Sequence, residues 1–518
     1  MNLRTNPQTA ATPGMLKAAV AREAGVKPGD IESVTIRRRS IDARQRNIMV
    51  NLTLDVKIAG RPCEAAPSPS PLPMPTLPPD APEAVVVGAG PAGLFAAAAL
   101  IGHGIRPIML ERGKDVDSRR LDVAQIARTQ EIDPESNYCF GEGGAGAFSD
   151  GKLYTRSKKR GPVDTVLATF VDCGADPDIL VDAHPHIGTD RLPYIIRTLR
   201  EKIRSAGGEV RFSTRVDSLI LATGPDGGRR CEGVVTQEGE ELRGPVILAT
   251  GHSARDVYEF LDRQGVELKA KGIAVGCRVE HPQTLIDSIF YHNPKGRGPY
   301  LPPAEYSLLT RVDGRAVYSF CMCPGGVVIP ASSGPGLLVV NGMSPARRGS
   351  RWANTGMVVE VLPDDVEGDS PLRMIDYQER IERRLSEAVG GTQHAPAQRV
   401  PDFVAGRIST DLPPSSYPPG VVAMRLDKLL PGPISRRLKG GLQEFGRKYK
   451  GYAGTEGLMI GCETRTSSPV TIVRDPESLC HTSVASLYPC GEGAGYAGGI
   501  VSAAIDGIRA AAAVAAAL

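Results

Sequence analysis

Residues 84–100 read AVVVGAGPAGLFAAAAL, an apolar strand that runs through a glycine turn into an alanine-rich helix. About twenty residues later the chain reaches MLERG, with Glu111 ending a second short apolar run, the spacing of a dinucleotide-binding βαβ unit. Gly88 permits the tight strand-to-helix turn, Gly90 lets the backbone approach a pyrophosphate at the positive helix N-terminus, and Gly93 lets helix and strand pack closely. Glu111 is then placed to hold a ribose hydroxyl. The same glycine spacing recurs at residues 141–146 and 493–498, but only the first copy has both the preceding strand and the acid at the right distance.

A chain of 518 residues with a formal charge of +3 is long enough for several domains and carries no general basic surface for nucleic acid or membrane. Ten cysteines are scattered without disulfide-framework or zinc-ligand spacing, which points to a reducing cytoplasm and to no metal site. The N-terminal residues lack the apolar core of a secretion signal. Residues 500–518 are apolar enough to resemble a membrane span, yet Asp506 and Arg509 interrupt them, so a helix buried in the fold is expected. The basic run Arg37–Arg39, with Arg44 and Arg46, reads as a solvated strand face.

The proline-rich stretch 63–83 can form neither helix nor central strand and is expected to be an extended linker. Before it, residues 1–62 suggest a small α+β module with a helix at 13–24 and strands at 33–39 and 47–58. After it, residues 84–264 alternate strands and helices, including a hairpin-like pair at 232–237 and 241–248. Residues 265–455 change texture to Gly-, Pro- and Arg-rich strands, and residues 456–518 return to strand, glycine turn and helix. The expected fold is α/β: a Rossmann-like nucleotide domain formed by 84–264 and 456–518, with a β-rich lobe inserted between.

Taken together, VVVGAGPAGLFAAAAL with MLERG, FGEGGAGAFSDGKLYT, ATGHSARD, GCRVEHPQ, FCMCPGG, ETRTSSPV and YPCGEGAGYAGGIVSAAIDG resemble the bacterial NAD(P)/FAD-dependent oxidoreductases of glutathione-reductase-like fold. The resemblance covers nearly the whole chain. It implies FAD, with Gly88, Gly90, Pro91, Ala92 and Gly93 along the pyrophosphate, Glu111 on the adenosine ribose and Arg112 beside it. It also implies a backbone contact from Val216 to the adenine and a passage of the cofactor by Thr250 and Gly251. Gly491 and Glu492 would meet the ribityl chain and phosphates, and Gly498, Gly499 and Ile500 the pyrimidine edge of the flavin. Gly143, Gly144, Phe148, Ser149 and Lys152 would be cofactor neighbours. No second nucleotide-binding unit and no CxxC or CxxxxC pair follows the first helix, so NAD(P)H would visit the substrate pocket transiently.

Flavin carries the redox step, so catalytic side chains are hard to read from such a chain. His252 could act as acid or base or simply cap a helix, while Arg278 and His281 could contact substrate or serve the strand that carries them. Arg465 is the best candidate for binding an anion. Cys321 and Cys323 are candidates for redox chemistry, but on an extended strand they point to one face too far apart for a direct bridge, unless Pro324–Gly325–Gly326 bends it. Two reduced thiols packed near the flavin are expected. The expected activity is oxidation or reduction of a small organic substrate, with carbon–carbon double-bond reduction or desaturation as a subtype. The alternatives are an RNA-modifying or RNA-binding flavoprotein and an electron-relay partner.

Overall fold

A computed structural model describes residues 1–61, 68–154, 161–224 and 227–518. Its nucleotide domain is built on a five-stranded parallel sheet in the order Leu487–Pro489, Val246–Leu248, Glu83–Val87, Arg106–Leu110, Glu209–Arg211. Glu83–Val87 lies at the centre. The chain leaves it toward Arg106–Leu110 on one side and later returns as Val246–Leu248 on the other, so a crevice opens at the carboxyl ends of these strands. Continuous apolar runs fit strands covered on both faces.

Residues 241–248 do not form the single strand expected from their apolar pattern. Glu241–Arg243 pairs antiparallel with Arg229–Thr236, whereas Val246–Leu248 enters the parallel sheet. Gly244, at φ +135°, and Pro245 divide them.

Alanine content sets the helix packing above the sheet. Helix Pro91–Gly102 is nearly all small or apolar residues, and helix Ile500–Ala517 lies directly against it. At the crossing, a Cβ on Gly507 would stand 2.1 Å from the Ala92 carbonyl oxygen. Ile500–Ala517 is long and apolar enough to cross a membrane by length and composition, but here half of it is buried. Its buried Asp506 is explained by local bonding: the carboxylate accepts from Arg474 at 2.7 and 3.0 Å and from the Gly491 N–H at 2.7 Å. Asp506→Ala would strand the buried Arg474 guanidinium, and a loss of about 3–5 kcal/mol is expected in denaturant unfolding.

The inserted lobe is a seven-stranded sheet ordered Leu309–Val312, Arg315–Cys323, Trp352–Val361, Ile273–Pro282, Leu458–Glu463, Ala395–Arg399, Val421–Ala423. Helix Gly432–Lys448 covers it through Gly441, where a Cβ would meet Val317 at 2.6 Å. Leu458–Glu463 is hydrogen-bonded inside this sheet, so a boundary at 455/456 comes too early. The chain rejoins the nucleotide domain only where Val470–Ile472 pairs with Leu268–Ala270.

In the N-terminal module, strands Asn2–Thr5, Met49–Ile58 and Ile31–Asp42 form an antiparallel sheet beside helix Pro13–Ala24. Arg39, expected on a solvated face, instead docks the module: its guanidinium meets Asp182 at 2.7 Å and Asp178 at 2.8 Å, and its N–H donates to the Val181 oxygen. Residues 63–67 of the expected linker lie outside the described residues. The remainder has no regular structure but is tied down, with Leu72 N–H on Thr169 Oγ1 and the buried Leu77 donating to the Ala206 oxygen. It is a strap on the nucleotide domain rather than a free connector.

Candidate functional site

The crevice begins at the first glycine turn. Gly88 has φ +102°, and a Cβ there would lie 2.5 Å from the Ala249 oxygen. A Cβ on Gly93 would lie 1.9 Å from the Gly88 oxygen, so helix and turn touch backbone to backbone. Gly90 is the N-cap of Pro91–Gly102 and offers no side-chain bond, which leaves the first-turn N–H groups, with Ala92 among them, for another acceptor.

Glu111 closes the next strand and is buried. Its carboxylate accepts from Gly113 and Gly141 N–H on one oxygen and from Ala89 N–H on the other, at 2.9, 3.0 and 2.9 Å. The second oxygen keeps a lone pair for a ribose hydroxyl. Arg112, expected beside the ribose, is held by Glu135 at 2.8 Å and Asp256 at 2.9 Å and lies over the Phe140 ring. Val216 starts strand Val216–Thr223 with its side chain in the core, while the Thr214 N–H two residues before it donates to the Glu111 backbone carbonyl.

The second glycine stretch folds over the first turn: Gly143, at φ +81°, donates its N–H to the Ala89 oxygen at 2.8 Å, and Gly144 lies beside Gly90. The organiser of this loop is Arg119, which sequence reasoning missed. Fully buried in helix Val116–Thr129, it donates to the carbonyls of Asn137, Gly141, Glu142 and Gly144 at 2.8–3.2 Å. With its carbonyls gathered on Arg119 and its N–H groups on Glu111, Lys114 and Ala89, the loop is pinned over the first glycine turn. Two expected cofactor neighbours also have partners within the protein. Phe148 is buried edge-on to Tyr138 beneath Arg119, and Ser149 bridges the Gly146 oxygen and the Gly151 N–H.

At the other side of the crevice, Thr250 and Gly251 follow strand Val246–Leu248, with Gly251 at φ +72°. Gly493 sits against them, a Cβ there reaching 2.4 Å from the Gly251 oxygen. Gly491, at φ +78°, turns the chain into Glu492, and Gly498 and Gly499 lead into Ile500 at the start of the last helix. Gly499 caps this helix without a side-chain bond, and nothing lies within 4 Å of where a Gly498 Cβ would be. Two uncapped helix N-termini thus belong to the same crevice.

Charged groups gather between them and the lobe. Burial raises the Glu492 carboxyl to about 7, with Lys271 partly opposing the rise. Lys271 is itself lowered by burial. His252 Nε2 stands 3.9 Å from Glu492 Oε1, and burial with Arg465, Arg255 and Lys271 nearby lowers it to about 4, so it is a neutral imidazole at physiological pH. For Glu492 the sign follows directly: a carboxyl raised in the folded state loses stability as pH climbs from the ordinary value of about 4.3 toward 7. In cofactor-free protein, Glu492→Gln is expected to flatten the part of the stability–pH curve between those values; an unchanged slope would contradict the burial of this carboxyl.

Lys152 crosses from the glycine loop to donate to the Met322 oxygen, which brings it beside Cys321 and Cys323. Asp150 is fixed by the buried Arg348 at 2.7 Å. Arg465 does not offer a free anion site: Glu382 grips it at 2.8 and 3.2 Å, also holds Arg255 at 3.0 Å, and accepts from Thr464 Oγ1 at 2.6 Å. His281 lies in the lobe core with Nε2 on the Tyr452 oxygen, and Arg278 pairs with Glu463 at 2.9 Å. Neither His281 nor the Arg465–Glu382 pair was placed by sequence reasoning, because their partners are remote in the chain.

These residues fit FAD. The uncapped helix starts suit a pyrophosphate and an electron-rich ring edge, Glu111 keeps an acceptor for ribose, and Glu492 near neutrality can donate or accept toward a polyol.

Residues 272–466 match the family model "FAD-dependent protein, C-terminal domain-like", and residues 1–57 match "Domain of unknown function (DUF8436)". A protein of Clostridium beijerinckii described as "Uncharacterized protein" is 44% identical over 429 residues, spanning 82% of this chain and 79% of its own. Among solved structures, a geranylgeranyl bacteriochlorophyll reductase-like protein from Thermoplasma acidophilum is 15% identical over 84% of this chain and 78% of its own, at TM-score 0.35. CtdE in complex with FAD is 12% identical over 85% of each chain, at TM-score 0.29. With the cofactor crevice and the C-terminal-domain match in one chain, this protein belongs to one family with the Clostridium beijerinckii protein, and its residues 272–466 carry the C-terminal domain of FAD-dependent proteins.

Proposed function

We propose that this enzyme oxidises or reduces a small organic substrate by hydride transfer to or from FAD, at the junction of the nucleotide domain and the inserted lobe. The observation that carries this reading is the convergence there of Glu492, His252 and Lys271 from one side and Lys152 with Cys321 from the other. FAD supplies the two-electron chemistry when bound. The protein's part is to exclude water, orient the substrate and move a proton. The Glu492 carboxyl is the group poised to do the last near pH 7, with neutral His252 beside it.

Carbon–carbon double-bond reduction or desaturation fits such a site, since it asks only for a hydride donor or acceptor, respectively, and one proton carrier. NAD(P)H is proposed to reduce the flavin by entering the substrate pocket. A cytoplasmic setting agrees with the dispersed cysteines, and neither nucleic acid nor membrane is proposed as a partner. Anaerobic mixing of the holoenzyme with NADH or NADPH tests the donor: one of them is expected to bleach the flavin absorbance. Protein that dithionite reduces but neither nicotinamide touches would contradict NAD(P)H as the donor.

A further inference from the structure

Strand Arg315–Cys323 loses register with Trp352–Val361 between Phe320 and Cys323. Within this bulge Cys321 has φ +45°, a conformation that a non-glycine residue holds only when its surroundings force it. The extended-strand geometry expected for a Cys-x-Cys pair therefore does not apply. Cys323 Sγ reaches back to donate to the Cys321 oxygen at 3.4 Å, which folds the two thiols toward each other. Both cysteines are free; Cys323 is buried and Cys321 is partly exposed.

Two cations frame the pair. Arg278 Nη2 lies 3.5 Å from Cys323 Sγ and 2.9 Å from the Cys321 oxygen, and Lys152 donates to the intervening Met322 oxygen. The neighbouring Cys323, with Lys152 and Arg278, lowers the Cys321 thiol, while the Cys323 thiol is raised by Cys321 and by burial. Of the two, Cys321 is the one that gives up its proton more readily. Cys321 also acts electrostatically on Glu492, in the turn that belongs to the cofactor crevice. Packing alone calls for neither a strained backbone nor two cations around a pair of small apolar side chains.

We propose that Cys321 and Cys323 form a reversible dithiol–disulfide couple that exchanges two electrons with FAD, an inference that rests on the FAD-dependent reading above. In the forward direction the Cys321 thiolate and the Cys323 thiol join in an S–S bond. The S–H bond of Cys323 breaks, and its proton and the two electrons pass to FAD. The reverse step cleaves the S–S bond and returns both.

Anaerobic dithionite titration of the holoprotein, with alkylation and peptide mass mapping on the same samples, tests this. Wild type is expected to take up two electrons per FAD more than Cys323→Ser, and both cysteines should be alkylated only after reduction. Cys321→Ser serves as the second variant should Cys323→Ser fail to fold. Equal uptake by wild type and variant, with both thiols alkylated in the air-oxidised holoprotein, would overturn the couple. FAD released by heat is quantified in parallel: a chain without FAD contradicts the cofactor reading, whereas a chain with FAD and no extra electrons overturns the dithiol couple alone.

Discussion

Gly93→Val is expected to yield protein that holds no FAD. A single Cβ at this position would lie 1.9 Å from the Gly88 carbonyl oxygen, and both partners are backbone, so no rotamer change relieves the overlap. The helix must then retreat from the sheet, which moves its first-turn N–H groups away from the pyrophosphate and costs about 3 kcal/mol, the upper end for overpacking. Gly14→Ala, in helix Pro13–Ala24 of the N-terminal module, is the matched control, since nothing lies within 4 Å of the added Cβ. Chromatography of heat-released cofactor, with circular dichroism to report folding, reads both variants. FAD bound by Gly93→Val in proportion to protein would show that helix and turn do not pack as described.

The second large effect is expected at Glu382. This carboxylate is wholly buried between Arg255 of helix Arg255–Arg263 and Arg465, and it belongs to helix Arg373–Ala388 of the lobe. It therefore ties the lobe to the nucleotide domain. Glu382→Ala leaves two buried guanidinium groups without their shared partner, and a loss of about 3–5 kcal/mol is expected in denaturant unfolding. Burial works against the charge, but Arg465, Arg255 and the hydrogen bonds from Arg465 and Thr464 overcome it and lower the carboxyl to about 2. The stability it contributes is present above the ordinary glutamate value of about 4.3 and is lost as pH falls from there toward 2. Wild type and variant should accordingly converge in stability with acidification. Parallel curves across that range would contradict the ion-pair role.

Local signals were legible in the sequence. The strand, turn and helix around Gly88, and the acid Glu111 that follows, could be read because each is encoded within a few residues by size, backbone freedom and periodicity. The alanine-rich last helix was readable as a buried element for the same reason. What could not be read depends on pairs remote in the chain. Arg255 meets Glu382 across 127 positions, and Arg119 gathers carbonyls 18 to 25 positions away, so no short pattern announces either. Arg465 was attractive as an anion ligand because an arginine near a cofactor segment reads the same whether its partner is a ligand or a buried glutamate. The split at Gly244 and the bulge at Cys321 escaped similarly: sheet membership and register are decided by neighbours across the sheet, not along the strand.

The most direct measurement is the cofactor content of the purified chain. Heat-denatured protein, separated by chromatography against authentic standards, is expected to release FAD equimolar with the chain. A colourless chain that releases none, and that takes up none on reconstitution, would contradict the assignment of this crevice to FAD.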